Sequence, residues 1–386
     1  MMNTSNTTGH VSDHQILYCA ISTEDSLEVK ICKIIAYAIL LAFSLLANTL
    51  IIMVVCRDKK MRTTTNLLIV NMAVSDLLVP VFAMPRAIVE IFFGNLRWLI
   101  DGAFGEALCK VTAFLQDIST AVSVQSLVAI SVARFYAVWF PVKAARIKPR
   151  IKLVTSLIWF TSALIHLPYL YGFKIVSIGD KTYCSFSWPR PIKKIVFLLL
   201  MILIFIVPLV VITTLYSLIV KKMRGQTFSG VRNVVVHFSR EKRNRNILKM
   251  SVVIVMVFFL SMSPFVVYLF IDTFSNGGAC LSKNFRFISQ YLVHCNSFLN
   301  FVTYFTFNKS YRRGFSAILS RVVCLCCSNC RWKHEVELSR HFRPDCHGLS
   351  SAGTIQFEMD FESKDVVLTS VRSLDINIER HAVGNT

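Results

Sequence analysis

The sequence predicts an all-α membrane protein: a seven-helix transmembrane bundle followed by a short amphipathic helix. Hydrophobic residues make up 54% of its 386 positions and charged residues only 17%, against about 25% charged in soluble domains. Seven runs each reach the roughly 20 apolar residues that a helix needs to cross a hydrocarbon core. The formal net charge is nevertheless +20, so the apolar and the basic residues must occupy different segments. These figures exclude intrinsic disorder, collagen, a coiled coil and a small disulfide scaffold.

Residues 1–30 form a polar N-terminal tail with the glycosylation sequons Asn3-Thr4-Ser5 and Asn6-Thr7-Thr8, which place it outside the cell. The tail lacks the charged start, apolar stretch and cleavage site of a signal peptide, so span one is expected to direct insertion. The membrane domain covers 31–308. Ile34–Cys56, Leu153–Phe173, Ile195–Val220, Met250–Ile271 and Phe287–Asn308 carry no Asp, Glu, Lys or Arg. Asn66–Phe93 holds only Asp76, Arg86 and Glu90, and Val111–Val138 only Asp117 and Arg134. In lipid such segments must be helices, because an exposed backbone can satisfy its polar groups only within itself. The inner loops hold eighteen Lys and Arg, more than the outer loops, as the positive-inside bias requires. Lys174–Phe186 alternates around Gly179-Asp180 and reads as a β-hairpin. Arg312, Arg313, Phe315, Ile318 and Leu319 suit a membrane-surface helix over 309–322, and the polar segment 323–386 reads as a disordered cytoplasmic tail.

The twelve cysteines sort by compartment. Cys19, Cys32, Cys109, Cys184 and Cys280 lie on the oxidising side. Cys109 with Cys184 is the strongest pair, and Cys280 is left with Cys32 or Cys19. Cys56 and Cys295 are expected to pack inside spans. Cys324, Cys326, Cys327 and Cys330 follow the surface helix; their spacing suits zinc poorly, and Cys324, Cys326 and Cys327 are candidate palmitoylation sites.

An ionisable residue inside a span is a functional candidate by default. Asp76 is the clearest here. Asn48, Ser123, Asn296, Ser297 and Asn300 are each mid-span and could converge on it as a cage for a small hard cation such as an allosteric sodium ion. The alternative is a polar network that only joins helices.

Over roughly Ile34 to Phe315 the chain resembles the rhodopsin-family (class A) G-protein-coupled receptors. The matching positions are Asn48; Asn71, Ala73, Ser75, Asp76 and Leu77; Cys109 with Arg134 twenty-five residues later; Ala137, Val138 and Pro141; Trp159; Cys184; Pro208 and Tyr216; Phe258 and Pro264; and Asn300 with Tyr304. The resemblance implies a switch built from Arg134, Tyr216, Phe258, Met262, Pro264 and Tyr304. Pro208 and Pro264 permit kinks, and Arg134 stands at the inner end of span three, where a G protein binds.

Three departures from the family pattern bear on that switch. Ala133-Arg134-Phe135 lacks the carboxylate beside the arginine. Ser261-Met262-Ser263-Pro264 has a thioether where the family has tryptophan, and Asn300-Phe301-Val302-Thr303-Tyr304 lacks a proline. Losing a restraint on the resting state shifts the equilibrium towards the active one, so Ala133 implies raised basal activity. Met262 and Phe301 could instead impair switching.

His294 stands at the retinal-lysine position and Gln116 at the amine-binding aspartate position, which disfavours retinal and small amines. Cys184-Ser185-Phe186-Ser187-Trp188-Pro189 resembles the lid of neuropeptide receptors, without their acidic residues. Glu90, Gln116, Asp117, Asp272 and His294 are the ligand-binding candidates. The three carboxylates form an acidic mouth suited to an Arg-bearing or amidated peptide, unless Arg86, Lys110 or Arg286 pairs with them.

The expected function is a plasma-membrane receptor, not an enzyme, whose partners are a peptide ligand, a heterotrimeric G protein, arrestin and membrane lipids, with no nucleic acid. No resident cofactor is expected beyond the sodium ion. Two other readings are an atypical or scavenging receptor signalling through arrestin, and an ion transporter or channel built on Asp76.

Overall fold

Span one, α1 (Leu27–Arg57), is apolar where it faces out and partly polar where it faces in. Ile31, Ile35, Ile39, Phe43 and Leu46 are exposed, whereas Ser44 and Asn48 are buried beside Tyr37, Leu40 and Ile51. Water would favour the reverse. Lipid tolerates an apolar exterior, and the polar groups bond between helices instead. The computed structural model describes residues 25–94, 96–146, 150–224, 234–275 and 282–326, all within one compact unit, Met1–Ser328. Asn3, Asn6, Cys19, Cys280, Cys327, Cys330 and the segment 329–386 lie outside the described residues.

Span two starts with α2 (Thr64–Asp76), whose Thr63 cap accepts a hydrogen bond from the Asn66 amide. It passes through a π-helical segment, Val79–Ala83, into α3 (Met84–Phe93). Pro80 has no amide hydrogen to donate, and the wider turn falls at that break in the ladder. After the short strand β1 (Arg97–Trp98) come span three, α4 (Gly102–Trp139), the inner helix α5 (Pro141–Arg146) and span four, α6 (Ile151–Gly172). Strands β2 (Phe173–Ile178) and β3 (Lys181–Phe186) lead to span five, made of α7 (Arg190–Leu200), a π-helical segment Met201–Ile206 and α8 (Val207–Arg224). Span six is α9 (Val234–Phe274), with Pro264 inside it; span seven is α10 (Lys283–Phe307), and α11 (Lys309–Cys326) follows.

Among the described residues, six helices are long and apolar enough to cross a membrane. The seventh, α10, packs against spans one and six but is less apolar, because its inward side buries Ser289, His294, Asn296, Ser297, Asn300 and Thr303. Those polar residues are the ones that build the site.

The expected hairpin is present and is the core of a three-stranded antiparallel sheet, ordered β1-β3-β2. Gly179, at φ +58°, takes the left-handed first corner of its two-residue turn. At Gly172 a Cβ would lie 2.5 Å from the Phe186 ring, so the hairpin closes on the end of span four only over a glycine. The third strand was not legible in the sequence, since two residues carry no alternation.

α11 is fixed to span seven by aromatic stacking. Phe301, standing where the family has proline, meets Phe315 at 4.8 Å between ring centroids, and Tyr304 stacks on Tyr311 at 5.6 Å.

Two cysteine expectations need correction. Cys56 is exposed rather than packed, because its position on α1 faces away from the helices that bury Val54 and Val55. Cys32 is a free thiol, which removes it as the partner of Cys280.

Candidate functional site

The floor of the site is Asp76. Its Oδ1 accepts from Ser123 Oγ at 2.9 Å and its Oδ2 from Asn300 Nδ2 at 2.9 Å, joining spans two, three and seven. Ser75 lies 3.3 Å from Ser123. Asn48 does not join this cluster as expected. It donates to the carbonyls of Ser44 and Ser297, both at 2.9 Å, because span one meets span seven one turn from Asp76.

Above the floor, Asp76, Gln116, Ser119, Ser123, Met262, His294 and Asn296 line a cavity with room for about one water-sized occupant. Asn296 Oδ1 and His294 Nε2 are buried there with no hydrogen-bond partner among the described residues. A carboxylate, a hydroxyl and an orphaned amide oxygen are hard oxygen donors. They fit a small monovalent cation. His294 Nδ1 lies 3.2 Å from the Tyr37 hydroxyl, so the ring that lines the cavity is anchored to span one.

At the mouth every candidate carboxylate is engaged. Glu90 is buried between two guanidinium groups, with Arg86 Nε at 2.9 Å and Arg286 Nη2 at 3.5 Å. Asp272 pairs with Lys193 at 2.9 Å, linking spans five and six. Asp117 lies close to Tyr169 and His166 of span four. Lys110 pairs with Glu106. The mouth is therefore a set of ion pairs rather than a patch of free acid. Outside the bundle, Asp25 joins Lys33 at 2.7 Å and Lys283 at 3.0 Å, tying span one to span seven.

The Cys109–Cys184 disulfide joins the top of span three to β3, with Cα atoms 5.9 Å apart. Trp98 packs on it and donates to the Gly105 carbonyl at 3.0 Å, which fixes β1 to the same helix.

At the inner end, Arg134 Nη2 donates to Thr65 Oγ1 of span two at 2.6 Å. Thr65 was not among the expected residues: a lone threonine near an inner loop has no distinguishing signal. Tyr304 directs its hydroxyl at Met72 Sδ, 4.0 Å away. Tyr216, Phe258 and Met262 are buried in one apolar cluster with Tyr304. Phe258 meets Phe259 edge-on, and Phe259 reaches Phe205 of span five. Cys324 and Cys326 fall within α11.

The family model for seven-transmembrane receptors of the rhodopsin family matches residues 47–304. A QRFP-like peptide receptor from Branchiostoma floridae is 29% identical over 302 residues, covering 75% of this chain and 78% of that protein. Neuropeptide FF receptor 2 from Mus musculus is 29% identical over 310 residues, covering 72% and 70% respectively. Somatostatin receptor type 5 from Bos taurus is 32% identical over 291 residues, covering 74% and 75%. The match places the chain among receptors and removes the transporter and channel readings. With its helices joined through Asp76 and its lid pinned to span three, this chain belongs to the rhodopsin family of seven-transmembrane G-protein-coupled receptors.

Proposed function

We propose that this receptor lies in the plasma membrane with its N-terminus outside, binds an extracellular peptide and activates a heterotrimeric G protein, with arrestin as a further cytoplasmic partner. The observation that carries the reading is the three-stranded sheet, held by the Cys109–Cys184 disulfide, at a mouth lined with ion pairs. An extended ligand finds backbone hydrogen-bond partners on such a sheet and charge partners below it. Two of the relatives named above, the QRFP-like peptide receptor and neuropeptide FF receptor 2, are peptide receptors by their names, which supports the same class.

In this reading Gln116 and His294 contact the buried end of the ligand, and Glu90 and Asp272 act through their ion pairs. A sodium ion at Asp76, Ser123, Asn296 and Asn300 would add positive charge beside a carboxylate and favour the resting arrangement. Asn3 and Asn6 carry glycans, and Cys324, Cys326 and Cys327 carry palmitate.

Basal activity is raised, because Ala133 stands where the family has the carboxylate beside the arginine; Arg134 Nη2 donates to the Thr65 hydroxyl. A panel of amidated and unmodified peptides, applied to cells expressing the full chain, tests the ligand class by G-protein activation and arrestin recruitment. Activation by a peptide supports it. A panel that leaves both readouts at baseline, while lipids or small metabolites activate, refutes it.

A further inference from the structure

We infer that the ligand presents a carboxylate to this receptor, at Arg286 and Arg86, rather than a cationic or amidated end. The inference rests on the peptide reading above and names the chemistry of that same mouth.

Two guanidinium groups share one carboxylate there. Arg86 and Arg286 have side chains only 14% and 17% exposed, and Glu90 lies between them at 7%. Glu90 serves Arg86 at 2.9 Å, a full charge-assisted hydrogen bond, but reaches Arg286 only at 3.5 Å, beyond the usual 2.7–2.9 Å range. Arg286 also lies close to the Tyr268 hydroxyl and within the field of Asp272. Asp272 is already held by Lys193. One positive charge at the mouth therefore lacks a carboxylate of its own.

The wider field has the same sign. At this end of the bundle, the stretches 25–33, 86–117, 166–197, 268–275 and 282–290 hold twelve Lys and Arg against eight Asp and Glu. A field of that sign raises the local concentration of anionic ligands and speeds their encounter.

The alternatives carry a cost. A cationic ligand would have to take Glu90 from Arg86 and Arg286, or Asp272 from Lys193, and an unpaired charge left in a part-buried site is unfavourable. A carboxylate adds to the cluster instead. It brings two cations and two anions together in a bidentate geometry suited to arginine. A terminal carboxylate and an Asp or Glu side chain of the ligand supply the same chemistry.

The test uses one hexapeptide library synthesised twice, with free carboxyl and with carboxamide C-termini, on cells expressing the full-length receptor. G-protein activation is read at matched surface expression. The expected result is that active free-acid members exceed their amide twins in potency by at least tenfold, or that the active amides all contain Asp or Glu. The first result assigns the terminal carboxylate and the second a side-chain carboxylate. Arg286→Gln should abolish that advantage, and Arg286→Lys should retain part of it. Activation by amidated members lacking Asp and Glu, equal to or stronger than the acids, would overturn the inference while leaving the peptide reading intact, as would an unchanged advantage in Arg286→Gln. Silence from both libraries would overturn the two together.

Discussion

Replacing Thr65 by valine removes one hydroxyl and keeps the shape of the side chain. That hydroxyl accepts from Arg134 Nη2 at 2.6 Å, and Thr65 is 6% exposed, so water compensates poorly for its loss. A hydrogen bond to a charged group contributes about 1.5–3 kcal/mol. On the proposed switch, in which Arg134 turns toward the G protein, the bond is made only at rest. Its full value enters the equilibrium between resting and active states, raising the active-to-resting ratio roughly ten- to hundredfold. The assay is ligand-independent G-protein nucleotide exchange at matched surface expression. Thr65→Val should raise it, and Thr65→Ser, which keeps the hydroxyl, should leave it near wild type. Ala133→Asp should lower it and should also suppress Thr65→Val, since a carboxylate beside Arg134 replaces the lost acceptor with a stronger one. Unchanged basal exchange in both Thr65→Val and Ala133→Asp would refute the restraint.

Cys184→Ser should release the lid. The disulfide closes a separation of 75 residues, which on the chain-entropy account is worth about 4 kcal/mol, so thermal stability in detergent and peptide responses should both fall, and intact stability would count against it. Exchanging sodium for a bulky organic cation should raise basal signalling in the wild type and leave Asp76→Asn flat; equal sensitivity in the two would remove the ion from Asp76. Burial raises the Asp25 carboxyl, but Lys33 and Lys283 together outweigh it and hold the group below its ordinary value. A lowered carboxylate stabilises the fold above its unfolded value near pH 4 and loses that contribution as pH falls through the folded one. Melting curves from pH 6 to pH 3 should therefore drop less steeply for Asp25→Asn, and superimposable profiles would contradict the ion pairs.

Much of the architecture was legible in residue order. Runs such as Ile34–Cys56 admit no state but a membrane helix, and Gly179-Asp180 between alternating residues admits little but a turn. Asp76 stood out because a carboxylate in a span demands partners, and two of those expected, Ser123 and Asn300, are the ones it has. Asn48 misled, since its position along span one says nothing about its rotation, and a fraction of a helical turn directs it to Ser297. Asp117 went the same way, lying close to Tyr169 of span four.

The sequence by itself determined that the chain spans a membrane and which polar residues a lipid environment would force together. Those conclusions depend on composition and periodicity, which are local. Tertiary structure alone decided the charge of the mouth and the restraint on Arg134. Glu90 is separated from Arg286 by 196 residues, and Thr65 from Arg134 by 69, and nothing within either segment encodes its partner. An ion pair neutralises an acid only when two distant helices meet in one register, and that register is set by the packing of the whole bundle.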